Sequence, residues 1–202
     1  LDPSEKKDTH IPESEILVAA VRNDALASYK NISAQVNVQA LHYEIEVFSA
    51  MRSTFHNELA PVALIDMGAS QTRIALIHYG TVMKYHTINR GGILITEALA
   101  RSLNLSFDRA EVLKRSIGLG EGNPDVTHAI EMSIASISAE IKSAVFDFEK
   151  HYNKAIDKII LVGGGSLLIG LPQVLSNTLH LPVQLGDPFR KTAKPEFLEG
   201  IL

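Results

Sequence analysis

The sequence predicts an α/β fold, and three patterns along the chain support this prediction. Short apolar runs at 16–21, 62–65 and 158–162 are typical of strands that are buried on both faces. Between them, apolar residues recur every three or four positions, which is typical of helices with one buried face. Loops rich in Gly, Asp and Pro separate these segments. This alternation favours a sheet with flanking helices.

The composition excludes several classes of function. Hydrophobic residues make up 46% of the 202 residues, which leaves enough apolar material for a core. The formal net charge of −4, without a basic block, argues against nucleic-acid binding. Because the chain has no cysteine, neither a disulfide nor a thiolate metal site can form. No apolar run approaches the ~20 residues of a membrane-spanning helix.

The first part of the chain predicts an arm followed by a small mixed unit. Residues 1–15 are polar and charged with two prolines, which is typical of a flexible arm. Residues 16–60 predict the order β-α-β-α. The strands are expected at 16–21 and 38–43, and the helices at 24–36 and 45–55.

Residues 61–189 form the main predicted domain, and residues 190–202 form a polar tail. Two tight hairpins are expected near the start of the domain, where polar and apolar residues alternate. The helix over 125–152 carries one apolar stripe, which favours packing on a sheet over a coiled coil. The predicted strands lie at 62–65, 72–78, 82–88, 158–162 and 183–185. The predicted helices begin at 93, at Ser106 or Asp108, at 125 and at 171.

The helix that begins at Ser106 or Asp108 is expected to end near Gly118. Asp108 and Glu111 have the spacing of a capping box, in which each side chain bonds a backbone N–H at the helix start.

Three consecutive glycines, Gly163–Gly165, follow the apolar run that ends at Val162. A P-loop would need a Lys directly after its last Gly, and none is present. The dinucleotide fingerprint and the hydrolase elbow around Ser166 would both need Gly at the position of Leu168. The glycine run therefore belongs to none of these three motifs.

A second loop, from Asp66 to Thr72, follows another predicted strand. Gly68 has no Cβ, so backbone N–H groups can approach phosphate oxygens, and the hydroxyls of Ser70 and Thr72 can donate as well. Asp66 can hold Mg²⁺ through water, because this ion keeps several of its waters. Taken alone, the loop is equally typical of a plain β-hairpin whose Asp and Gly serve the turn.

The order of these elements resembles the nucleotide-binding lobe of the actin, Hsp70 and sugar-kinase superfamily. ALIDMGASQT is similar to its second phosphate loop, which implies that Asp66, Gly68, Ala69, Ser70 and Thr72 face phosphate. ILVGGGSLLIGL is similar to its adenosine loop, where flat backbone lies against base and ribose. This implies that Gly163, Gly164, Gly165 and Ser166 bind the nucleoside.

Residues 110–114, AEVLK, resemble a helical segment of bacterial actin homologues. The resemblance implies that Glu111 and Lys114 reach ribose and purine from the opposite side. The alternative is a solvated pair at the i,i+3 spacing of a helix.

Further segments resemble the family of type IV pilus assembly proteins called PilM, which are relatives of the cell-division protein FtsA. The resemblance covers residues 15–190. It implies that residues 16–60 are part of a first lobe (a small inserted α+β subdomain and its exit helix). It also implies that residues 61–189 are a second, actin-like (ribonuclease H-like) lobe with a mixed sheet. The similar segments are 18–22, 46–50, 89–92, 94–99, 105–111 and 187–189.

The same resemblance implies a cytoplasmic scaffold that is peripheral to the inner membrane through its partners. Its cofactor would be ATP or ADP with Mg²⁺, and its partner the N-terminal cytoplasmic peptide of the inner-membrane protein PilN. Other inner-membrane pilus proteins and a second copy are further implied partners. Neither nucleic acid nor a membrane span of its own is expected.

One family feature is absent from this sequence, namely a first Asp-x-Gly loop at a strand end before Asp66. Since residue 1 is Leu, we expect the chain to be a piece of a longer protein. We expect this piece to lack most of the first lobe. Hydrolysis needs metal and nucleophile positioned together. We therefore expect weak nucleotide binding and no useful hydrolysis by this chain, and at most a weak ATPase when intact. Two alternatives remain: an actin-fold kinase or activator ATPase, and an α/β interaction domain without nucleotide binding.

Overall fold

The computed structural model describes residues 16, 18, 20–55 and 58–193. The chain divides into two compact units, Leu1–Tyr43 and Glu44–Leu202. The predicted arm, 1–15, lies outside the described residues, as does most of the predicted tail. The division falls earlier than the boundary at residue 60 that the sequence suggested, and the assignment of residues 16–60 to a first lobe stays a prediction.

The first unit contains one helix, α1 (Asn23–Gln35), among its described residues. This helix matches the predicted one, but none of its residues is buried. The two predicted strands are wrong as far as the chain is described: residues 38–43 form no strand, and neither do residues 16, 18, 20 and 21. A strand needs a neighbour to satisfy its N–H and C=O groups, and the described part of this unit offers none.

The second unit is built on a five-stranded mixed sheet in the order β3-β2-β1-β4-β5. The pairs β1–β2 and β2–β3 are antiparallel, whereas β4 lies parallel to both β1 and β5. The strands are β1 (Val62–Met67), β2 (Thr72–His78), β3 (Thr81–Ile88), β4 (Lys158–Val162) and β5 (Val183–Leu185). The predicted mixed sheet is thus confirmed.

Helices cover both faces of this sheet and give a three-layer arrangement. The helices are α2 (Glu46–Thr54), α3 (Gly92–Leu103), α4 (Phe107–Ser116), α5 (Pro124–Tyr152) and α6 (Leu171–Leu179). On one face, α3–α6 bury the larger core against Ile65, Ile74 and Ile159. On the other face, Val47 and Met51 of α2 pack on Leu64, Ile77 and Ile160. Strand residues alternate between the two cores because successive side chains of a strand point to opposite faces.

Residues at the N-termini of α5 and α4 explain where these two helices begin. Pro124 stands in the first turn of α5, and the Asn123 side chain accepts hydrogen bonds from the N–H groups of Asp125 (3.1 Å) and Val126 (3.3 Å). Ser106 caps α4 by accepting from the N–H of Arg109. The capping box of Asp108 and Glu111 is therefore wrong, since Asp108 already lies inside the helix.

The stripe of α5 gives a test of the larger core. Phe148 is fully buried, whereas Phe146 on the same helix is 61% exposed. We expect Phe148→Ala to lower the free energy of unfolding by about 3–5 kcal/mol, because it removes a buried ring and leaves a cavity. Phe146→Ala is the matched control and should change it by about 0.5 kcal/mol or less. Urea denaturation of the two variants measures both; equal effects would contradict the packing described here.

Candidate functional site

Two glycine-containing loops meet at one edge of the sheet. The parallel register pairs Asp66 with Val162, so β1 and β4 end side by side. The segment from Gly68 and the run Gly163–Gly165 follow directly from these strand ends. Loops at the carboxyl ends of neighbouring parallel strands are a common position for ligand sites in α/β sheets.

Gly163 allows the two loops to approach closely. Its φ of 82° with ψ of 164° is a conformation that is essentially restricted to glycine. A Cβ at this position would lie 2.8 Å from the carbonyl oxygen of Met67 and 2.2 Å from the Asp66 carboxylate. A side chain at residue 163 would therefore push the loops apart.

The start of α3 joins the same edge. The N–H of Gly92 donates to the carbonyl of Gly68 (3.0 Å), and the N–H of Ile93 donates to the carbonyl of Ala69 (2.8 Å). Gly91 sits so near this loop that a Cβ would lie 2.5 Å from the Gly68 oxygen. These contacts hold the loop after β1 in place through backbone groups alone.

The three segments surround a cavity of about 710 Å³. One wall comes from α3 and α4, and another comes from the glycine run and the residues after it. The lining consists of Gly68, Ala69, Gly92, Ile93, Ile95, Phe107, Glu111, Lys114, Arg115, Gly164, Gly165, Leu167 and Leu168. Its volume is in the usual range for small-molecule and cofactor sites.

Glu111 and Lys114 stand in this wall as one hydrogen-bonded network. Lys114 Nζ donates to Glu111 Oε2 (2.6 Å), Thr96 Oγ1 (2.8 Å) and the carbonyl of Gly92 (3.1 Å). Arg115 Nε donates to the other carboxylate oxygen, Glu111 Oε1, at 2.7 Å. Thr96 Oγ1 also lies 2.5 Å from Glu111 Oε2. The network ties α4 to α3, and all three ammonium donors of Lys114 have partners.

The network sets the protonation of Glu111. Partial burial raises the pKa of the Glu111 carboxyl, but hydrogen bonds from Lys114, Thr96 and Arg115 outweigh it and lower the pKa to about 2. The carboxylate is therefore ionised at every physiological pH.

The other predicted site residues lie outside the lining of this cavity. Thr72 is fully buried, and its Oγ1 donates to the carbonyl of Arg90 (2.8 Å). Ser166 is also buried and donates to the carbonyl of Gly163 (2.6 Å). Ser70 is exposed in the turn after β1. The Thr72 hydroxyl thus ties the start of β2 to the segment before α3, and the Ser166 hydroxyl stabilises the turn of the glycine run itself.

Asp66 faces the other side of the sheet, towards α2. Its Oδ2 lies 3.5 Å from Arg73 Nη1, and Arg73 Nε lies 3.3 Å from Glu46 Oε1. Among the described residues, no three His, Asp or Glu side chains come together in a group that could hold a metal ion. Coordination of Mg²⁺ by Asp66 would thus depend on water or on the ligand itself.

Sequence reasoning missed the apolar part of the lining. Ile93, Phe107 and Leu167 line the cavity although each is more than a third exposed. Leu167 lies inside the segment ILVGGGSLLIGL and Phe107 inside the segment 105–111, but the resemblance of these segments assigned roles only to their glycines, Ser166 and Glu111. The position of Phe107 at the very start of α4, directly after the Ser106 cap, was a further hint.

The sheet order, the paired loops and the cavity between them define one lobe of an actin-like ATPase fold. MreB5 of Spiroplasma citri, solved with bound ADP, matches 84% of this chain and 62% of its own with a TM-score of 0.66 at 15% identity. A PilM–PilN type IV pilus biogenesis complex matches 89% of this chain and 54% of its own, with a TM-score of 0.72 at 23% identity.

Sequence comparison then gives the family. The model of the type IV pilus assembly protein PilM family matches residues 2–197, and the chain belongs to this family. FtsA of Neisseria meningitidis serogroup B is 31% identical over 150 residues, which cover 63% of this chain and 36% of that protein. The chain thus spans about a third of the length of its FtsA relatives. The predicted family and fold are both confirmed.

Neighbouring glycines test the close approach of the two loops. Gly163→Ala should destabilise the protein by about 1–3 kcal/mol from its backbone conformation alone, and further through contact with the Met67 carbonyl. At Gly164 a Cβ would meet nothing within 4 Å, so Gly164→Ala is the matched control and should fold with little change. Thermal unfolding of both variants measures this, and a neutral Gly163→Ala would show that the loops lie further apart.

The Glu111 network predicts a pH dependence. Because folding lowers the pKa of Glu111 from 4.5 to about 2, the network stabilises the protein fully above pH 4.5. That contribution is lost as the pH falls from 4.5 towards 2. Glu111→Gln should therefore be less stable than the natural protein at pH 7, and the difference should shrink at pH 3.5. Urea denaturation at the two pH values measures the difference, with Glu131→Gln on α5 as the control for net charge.

Proposed function

We propose that this protein is an actin-like scaffold of type IV pilus assembly that binds ATP with Mg²⁺ in the cavity described above. The observation that carries the proposal is the lining of the cavity. It combines a loop that resembles a phosphate loop (Gly68 and Ala69), the glycine run (Gly164 and Gly165) and the ion pair of Glu111 with Lys114 on α4. The ADP-bound state of the MreB5 structure, which shares the fold, supports a nucleotide as the ligand.

The polarity of the lining supports one orientation of the nucleotide. The triphosphate lies towards Gly68 and Ala69, where glycine leaves room for backbone contacts with anionic oxygens. The base and ribose lie between Gly164–Gly165 and the wall that carries Glu111 and Lys114. Mg²⁺ would be held through water by Asp66. For this the Asp66 side chain, which now pairs with Arg73 on the α2 side of the sheet, would have to turn towards the cavity. The remaining wall comes from parts of the whole protein beyond this chain.

Nucleotide acts mainly by setting the arrangement of the two lobes of the whole protein. A ligand that contacts both walls of a cleft shifts the population towards the closed arrangement, in proportion to its preference for that state. Hydrolysis by this chain is at most slow, because in-line attack needs metal and nucleophile positioned together and no first Asp-x-Gly loop precedes Asp66 in this sequence.

A substitution at Gly164 can test nucleotide binding without affecting folding. A side chain at this position meets open space on the cavity wall, so Gly164→Val should keep its stability and fill part of the site. We expect at least a tenfold loss of affinity for Mg·ATP, measured by isothermal titration on the full-length protein. Gly122→Val is the control, since a Cβ at Gly122 would meet only Ile117, at 3.9 Å, and the residue lies outside the lining of the cavity. If titration of the natural full-length protein with millimolar Mg·ATP produces no heat, nucleotide binding is overturned. The alternative of an α/β interaction domain without nucleotide binding would then hold.

The second ligand we propose is the N-terminal cytoplasmic peptide of a PilN-like inner-membrane protein. The PilM–PilN complex among the similar structures supports this partner. The full-length protein should bind a synthetic peptide of that segment from the same bacterium, and a scrambled peptide should not bind. Fluorescence anisotropy measures both, and equal binding of the two peptides would overturn the proposal.

The proposed PilN-like partner implies a location for the protein in the cell. Within the described part of the chain, no helix has the length and apolar character needed to cross a membrane. We propose that the protein is cytoplasmic and reaches the inner membrane through its PilN-like partner. Deletion of that partner should move it from the membrane fraction to the soluble fraction, and an unchanged distribution would contradict this route.

A further inference from the structure

The carboxylate that the proposed function assigns to Mg²⁺ already has a cationic partner. Asp66 Oδ2 lies 3.5 Å from Arg73 Nη1. The register of β1 with β2 places these two residues directly opposite each other. Side chains at opposite positions on one face of an antiparallel pair lie close enough to interact. The ion pair is therefore a consequence of the strand register.

Asp66 stands at the boundary between this ion pair and the glycine run. A Cβ on Gly163 would meet Asp66 Oδ1, so this oxygen lies on the side of the glycine run while Oδ2 faces Arg73. The Asp66 side chain is 31% exposed. Because water reaches this side chain, the carboxylate can change its partner without opening the core.

Arg73 is shared among three acceptors. Its Nε lies 3.3 Å from Glu46 Oε1 on α2, and its Nη2 donates to Gln71 Oε1 at 3.4 Å. These distances, like the 3.5 Å to Asp66 Oδ2, exceed the roughly 2.7–2.9 Å of a strong hydrogen bond between Arg and a carboxylate. If Asp66 turns away, Glu46 still holds Arg73, so the guanidinium keeps a carboxylate partner.

We propose that Arg73 competes with Mg²⁺ for Asp66 and thereby sets how strongly Mg²⁺ supports nucleotide binding. A cation beside a carboxylate offsets its charge, so the carboxylate attracts a second cation less strongly. Asp66 has to leave Arg73 before it can hold Mg²⁺ through water, and the free energy of the ion pair opposes this exchange. Arg73 is thus a positioning residue that acts through Asp66. The inference rests on the proposed function, since it concerns the metal of the same site.

The test is a pair of isothermal titrations of the full-length protein with ATP, one in Mg²⁺ and one in EDTA. We call the ratio of the two affinities the magnesium ratio, and it separates the effect of the metal from direct attraction between Arg73 and phosphate. Arg73→Gln should raise the magnesium ratio about three- to fivefold, the size expected for one partly exposed ion pair. Arg73→Lys keeps a positive charge beside Asp66 and should stay within about twofold of the natural ratio, because the contact with Asp66 is not bidentate.

A double-mutant cycle shows whether Arg73 acts through Asp66. Asp66→Asn removes the negative charge, so adding Arg73→Gln to that variant should leave the magnesium ratio unchanged. Arg101→Gln is the matched control, because Arg101 forms an exposed ion pair with Glu97 on α3 and lies outside the lining of the cavity. It should keep the natural ratio. Thermal unfolding checks that each variant is folded.

The outcomes separate this inference from the proposed function. An Arg73→Gln variant with the natural magnesium ratio overturns the inference and leaves nucleotide binding intact. An equal rise in the presence and absence of the Asp66 carboxylate also overturns it, since Arg73 then acts by another route. If the natural protein binds ATP in neither Mg²⁺ nor EDTA, the proposed function fails, and this inference fails with it.

Discussion

The parallel pairing of β1 with β4 is the constraint on which the site depends. The two strands are far apart in sequence, and the helices α3, α4 and α5 lie between them in the chain. Their register places Asp66 beside Val162, so both glycine loops leave the sheet at the same edge. A register shift of one residue would turn the buried face of β4 to the other side, so the two cores fix the register. The position of the loops is thus a consequence of core packing.

The second constraint is the hydrogen-bonded wall on α3 and α4. Lys114 reaches from α4 to the carbonyl of Gly92 at the start of α3, and the N–H of Gly92 reaches the carbonyl of Gly68. One chain of contacts therefore joins the charged wall to the loop after β1. A ligand that displaced Lys114 would disturb both, which gives the cavity a physical route by which occupancy can change the loop.

The sheet of the second unit was predictable because its signals are local. Val62–Met67 and Lys158–Val162 are apolar runs, and Thr72–His78 alternates at the period of a strand. Both faces of this strand are buried, with Ile74 and Leu76 in the larger core and Ala75 and Ile77 in the smaller one. The predicted strand at 38–43 failed for the opposite reason. Apolar residues such as Leu41 suit a strand, but pairing needs a partner, and Leu41 remains 73% exposed. A local pattern shows that a strand can form, and only the neighbouring chain decides whether it does.

The sequence by itself determined the family, the order of strands and helices in the second unit, and the two loops that border the cavity. These follow from periodicity and from glycines at strand ends, which are properties of short segments. Only the tertiary structure decided the roles of individual side chains. Thr72 and Ser166 donate hydrogen bonds to backbone carbonyls, Asp66 pairs with Arg73, and Phe107 lines the cavity. Each of these outcomes depends on which distant group lies within hydrogen-bonding or packing distance. That distance is set by the packed core, and no single segment of sequence contains it.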